Sequence, residues 1–130
     1  MFDFLRQRRF EDSELGQFTR VRTMWFPVKT QDCLCVSMEG GKEQPSSEVV
    51  EVARRLLREP NHLVQAAESF VRSHDGAQEF IAGHGELVCD GFTVYESGKF
   101  SVEFSLTGWA DAMITVPFEG SEPCAVSLGD

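Results

Sequence analysis

The chain has 130 residues, 42% of them apolar and 25% charged, a balance that fits one globular domain and excludes a disordered or low-complexity chain. It holds no run of about 18 apolar residues, so no membrane-spanning helix is expected. The formal charge of −9 falls on residues 73–130, where ten acids face Lys99 alone, while residues 1–72 hold eleven residues of each sign; such polarity repels nucleic acid and attracts basic surfaces.

Residues 1–14 read as a short helix or a flexible arm at the start of a single domain over 1–130. Arg6, Arg8 and Arg9 are cancelled by Glu11, Asp12 and Glu14, so this basic cluster is a solvated face. The early charges occupy the place where a secretory signal needs its apolar stretch. A cytoplasmic protein is therefore expected, with Cys33, Cys35, Cys89 and Cys124 as reduced thiols. One strand is predicted over about 17–28, with Val21, Thr23 and Trp25 on one side and Met24, Phe26 and Val28 on the other. Pro27 places its end at an edge. A second strand covers about 32–38, and Gly40 to Pro45 is a loop.

Two helices follow. Ser46 or Ser47 caps the first, Glu48 and Glu51 favour its N-terminus, and Val49, Val52, Ala53, Leu56 and Leu57 form its buried stripe. Pro60 stops it and Asn61 caps the second, whose apolar face is Leu63, Ala66, Ala67, Phe70 and Val71. A further short turn is expected at Ala77 to Ala82. From Glu86 the period changes from 3.6 to 2. Phe100, Val102, Phe104 and Leu106 alternate with polar residues, and Ile114, Val116 and Phe118 repeat the pattern. The order ββ-αα-ββββ predicts an α+β fold, a single twisted antiparallel sheet of about six strands with two helices on one face.

No catalytic motif is specific. Cys33-x-Cys35 puts two thiols on one side of a strand, and Cys89 and Cys124 lie on others. Zinc held by these four is the alternative to buried structural thiols, without the tight turn that zinc knuckles place between paired cysteines. His84 and Glu86 share a face of an extended segment leading to Cys89, the one cluster to test for an enzyme without a motif. There is no G-x-S-x-G, no P-loop and no dinucleotide fingerprint, so no cofactor is expected.

The segment Leu15-Gly16-Gln17-Phe18-Thr19, with the Trp25 strand and Cys33-Leu34-Cys35-Val36-Ser37 after it, resembles the opening of small bacterial domains of unknown function. The tail from Tyr95 to Phe104, with Ile114 to Phe118 and Val126-Ser127-Leu128-Gly129, looks like their terminal meander. Some proteins of this type accompany toxins as immunity proteins. The resemblance implies an α+β fold and no catalytic residue.

The expectation is a non-catalytic protein-binding domain of the immunity type, whose acidic C-terminal sheet docks a basic partner such as a toxin enzyme. Glu96, Glu103, Asp111, Glu119 and Glu122 supply the carboxylates, and Tyr95 or Trp109 an aromatic anchor. The alternative is an interaction domain that forms homo-oligomers through a sheet edge.

Overall fold

The computed structural model describes residues 8–29 and 34–130. The elements are β1 (Arg9–Asp12), β2 (Gly16–Val21), β3 (Met24–Pro27), β4 (Cys35–Glu39), α1 (Ser47–Arg58), α2 (Asn61–Arg72), α3 (Asp75–Ile81), β5 (Leu87–Val94), β6 (Phe100–Leu106), β7 (Trp109–Glu119), β8 (Glu122–Pro123) and β9 (Ser127–Gly129). β1 to β8 lie side by side in chain order, and β9 also pairs with β7. Every pairing is antiparallel except β4 with β5, which is parallel.

The α+β class stands. The six-strand, all-antiparallel sheet with two helices does not: among the described residues the sheet is mixed, has nine strands and is accompanied by three helices. Each departure has a local cause. Residues 9–12 form a strand whose inward residues are Phe10 and Asp12, and the carboxylate hides the alternation. The strand expected over 17–28 folds back at Arg22-Thr23, with Arg22 at φ 59° and Val21 paired with Met24. Two-residue hairpin loops favour positive φ and usually advertise it with Asn or Gly; this loop carries neither. Parallel strands need a long crossover, and here the helices supply it, running between β4 and β5. The tail splits into β8 and β9, both against β7, after a turn with Gly120 at φ 62°.

Ser46 Oγ accepts from Val49 N at 3.2 Å and caps α1. Asn61 does not cap α2; it is the first helical residue, after Pro60 in the capping position. α3 is capped by His74, whose Nδ1 accepts from Ala77 N at 3.1 Å. The turn expected near residue 77 is thus a two-turn helix.

The helices pack on one face of the sheet. Val49, Ala53, Leu56, Leu63, Ala67 and Val71 meet Val36, Met38, Phe92, Val94, Val102, Phe104, Ile114 and Val116 in one buried cluster. Phe18 and Trp25 are fully buried in it, and Trp25 Nε1 donates to the Gly41 carbonyl at 3.1 Å. Burial of a large apolar side chain contributes about 1.5–3 kcal/mol, so this face carries most of the stability. α1 also anchors the first hairpin. Arg54 donates to Asp12 through Nη2 and through Nε at 3.3 Å, and Arg58 holds Glu14 through two bonds of 2.7 Å.

Candidate functional site

The opposite face of the sheet carries no helix among the described residues. Register fixes its membership. Met38 on β4 pairs with Val94 and with Trp25, all on the helix-covered face. The alternate residues therefore lie on the open face: Thr19, Val21, Met24 and Phe26, then Ser37 and Glu39, then Thr93, Ser101, Glu103 and Ser105, then Met113, Thr115, Pro117 and Glu119.

At its centre Glu103 lies opposite Gly91 on β5 and Thr115 on β7. The β5–β6 register slips between Cys89 and Gly91, so Asp90 is an extra, bulged residue. Gly91 has φ 137°, and a Cβ there would overlap the Cys35 carbonyl oxygen. Only glycine lets β4 approach so closely. The bulge turns Asp90 toward Ser105, whose Oγ donates to Asp90 Oδ1 at 3.1 Å. Burial pushes the Glu103 carboxyl up from its ordinary value; the Thr93 hydroxyl bond opposes this and the Asp90 charge adds to it. Beside them the Tyr95 and Ser101 hydroxyls are 3.2 Å apart, and Ser101 is fully buried. The centre is thus a satisfied polar floor with two neighbouring carboxylates.

Of the residues expected to bind a partner, Tyr95 and Glu103 come together on this floor. Glu119 lies opposite Glu122 across the β7–β8 turn and receives Lys99 Nζ at 3.0 Å. Asp111 is exposed at the irregular start of β7. Glu96 sits in the β5–β6 turn, where its amide donates to Glu39 Oε1 at 2.9 Å. Trp109 stands apart from this group. It pairs with Leu106 of the covered face and packs at a tilt between Phe80, at 4.8 Å between ring centroids, and His84, at 4.9 Å. It closes one end of the core. Asp90, Thr93 and Ser105 were not singled out from sequence. Only the Asp90-Gly91 pair signals the bulge that aims Asp90.

The ion pairs explain the polarity of the open face. Among the described residues four arginines pair with acids of the first half: Arg8 with Glu43, Arg54 with Asp12 and Glu51, Arg58 with Glu14 and Glu51, and Arg72 with Glu68. Among the described residues Lys99–Glu119 is the sole pair that reaches the acids of residues 73–130.

The other candidates do not assemble. Cys89 pairs with Phe104 on the covered face, and burial pushes its thiol up to about 11. A thiol protonated at neutral pH is a poor nucleophile. His84 is packed at a tilt against Trp109, and the exposed Glu86 donates its amide to Thr107 Oγ1 at 2.9 Å. Cys124 is exposed, its Sγ donating to the Pro117 carbonyl at 3.3 Å. Cys33 lies outside the described residues, and among the described residues no three His, Cys, Asp or Glu side chains are grouped as metal ligands. A groove of about 360 Å³ between α1 and β2–β4 is lined by Leu15, Phe18, Leu34, Val36 and Leu57, away from the polar floor. No helix among the described residues is long and apolar enough to cross a membrane. No protein-family model matches the chain, and no curated protein or solved structure matches it.

Proposed function

We propose that this chain is a non-catalytic binding domain whose open sheet face docks a basic protein surface. One observation carries the reading: Asp90 and Glu103 sit side by side on a face that, among the described residues, carries no helix and no arginine of the first half paired to them. A half-buried carboxylate has already lost part of its hydration. A cation arriving there meets a preorganised acceptor, and long-range attraction speeds the encounter. The most specific form is a cytoplasmic immunity-type inhibitor that offers carboxylates to the phosphate-binding cleft of a basic toxin enzyme. A gene for such an enzyme found immediately beside this one would support that form.

The test uses a small basic protein probe, a ribonuclease, titrated at rising salt. Binding is expected to weaken steeply with ionic strength and to weaken further in Glu103→Lys. The control is Glu79→Lys on α3, an exposed acid on the helix side that makes the same change in net charge. Equal loss in the two variants refutes a docking face and leaves only non-specific charge attraction.

A further inference from the structure

The open face carries exposed apolar side chains beside its acids, and resting on the docking role just proposed, we infer that its partner is an amphipathic segment in which apolar residues precede or follow cations along one face. Exposed apolar residues flank the acids, Val88 and Met113 at one end of the face and the β2–β3 hairpin at the other. Val21 is 47% exposed, Phe26 40% and Val28 45%, and Val21 and Phe26 belong to the open face by register, with Val28 two residues further along the same side. These are large side chains left in water on a sheet whose other face buries Phe18 and Trp25 completely. Scattered apolar residues need no explanation, but a cluster on one hairpin, on the face that also carries the acids, marks a contact surface.

The geometry sets the partner's spacing. Phe26 on β3 is in row with Ser37, Thr93 and Ser101, and Glu103 on β6 is three strands away and two residues out of that row, about 16 Å at the usual spacings. An extended segment laid diagonally across the strands covers that span in about 4–5 residues, and positions i and i+4 point to the same side. The surface between them, Ser37, Thr93 and Ser101, is small, and Thr93 and Ser101 are buried with their hydroxyls engaged by Glu103 and Tyr95. It demands no further hydrogen bonds from what lies over it. A second copy of this chain fits poorly, because it brings a net charge of −9 and the same acids.

The probe is a seven-residue peptide with two leucines and then two arginines at alternate positions and threonine between them. Its reference replaces both leucines with serine. NMR titration of the isotope-labelled full chain follows both. The leucine peptide is expected to bind at least about fivefold tighter than the serine peptide, with shifts on β2, β3, β5 and β6. Phe26→Asp, with Val21→Thr as the milder variant, is expected to abolish that advantage, while Glu103→Lys weakens both peptides. Equal affinity of the two peptides, or a leucine advantage that survives Phe26→Asp, overturns the inference and leaves the acidic docking role standing. Failure of both peptides to bind overturns the docking role as well. A dimer seen by light scattering and dissolved by Phe26→Asp assigns the apolar hairpin to a second copy and also overturns the inference.

Discussion

Replacing Asp12 with asparagine tests how the first hairpin is held to the helix layer. Asp12 is 6% exposed and accepts four bonds: two from Arg54, one from Glu14 N at 3.0 Å and one from Leu15 N at 2.9 Å. The arginine, with the two amides, holds its carboxyl below the ordinary value against the effect of burial. Removing one member of a fully buried ion pair costs about 3–5 kcal/mol. Here Arg54 is 32% exposed and keeps Glu51 at 3.3 Å, so its charge is not stranded. Asparagine also keeps one oxygen for the amides. The expected loss is about 1–2 kcal/mol for Asp12→Asn. Asp12→Ala also leaves two amide donors without an acceptor, at about 1 kcal/mol each. Melting temperature falls by about 3–5 °C per kcal/mol in a domain of this size. The pH dependence has a definite sign. A carboxylate with a depressed folded pKa stabilises above its unfolded pKa, and the contribution is lost as pH falls through the folded value. Urea titrations from pH 7 down to pH 2 are therefore expected to show wild type and Asp12→Asn converging in acid. A difference that stays constant with pH, or no difference at pH 7, refutes this account of the pair.

Three further outcomes follow from the central strands. Gly91→Ala is expected to destabilise by on the order of 3 kcal/mol or more, because the new Cβ meets the Cys35 carbonyl oxygen at a positive φ; a urea midpoint within error of wild type excludes the close approach. Glu103→Gln is expected to raise stability at neutral pH. Its folded pKa is raised, so the charged form is penalised above that value and the penalty vanishes in acid; a gain that persists at pH 2–3 points to packing instead. Alkylation followed by mass spectrometry at pH 8 is expected to label Cys124 well before Cys89, whose thiol is buried and pushed up to about 11; faster labelling of Cys89 contradicts its placement under the helices.

Legibility from sequence tracked whether a residue's chemistry agreed with its position. The stripes of α1 and α2 and the alternation of β6 and β7 were readable because the inward residues are apolar and the outward ones mostly polar. β1 was not, because its inward Asp12 is compensated by Arg54, 42 residues away. The β2–β3 hairpin was hidden by an Arg-Thr turn, and the sidedness of Val21 inverted with it: Val21 and Phe26 share a face because the chain reverses between them. The parallel β4–β5 pair carries no local mark, since parallel pairing is a property of the crossover. At the site, Glu103 and Tyr95 were visible as outward residues of a recognisable meander. Asp90 depended on a bulge one residue long, and Trp109 on Phe80 from a helix whose packing the sequence does not encode locally.

The charge asymmetry of the chain becomes a spatial asymmetry through the helices. α1 and α2 contribute Arg54, Arg58 and Arg72, and each pairs with an acid of its own helix or of the first hairpin. The crossover lays those helices on one face of the sheet, so these three cations are engaged on that side. From β5 onward the chain brings seven acids and one lysine. Most of its apolar residues there are drawn under the helices, and Asp90, Glu103 and Glu119 share the opposite face with the exposed Val88 and Met113. Desolvation of Glu103 works against folding, since it disfavours the charged form. Folding alone therefore favours a neutral residue at that position, whereas docking of a cation favours the carboxylate; Glu103→Gln separates the two by gaining stability and losing affinity.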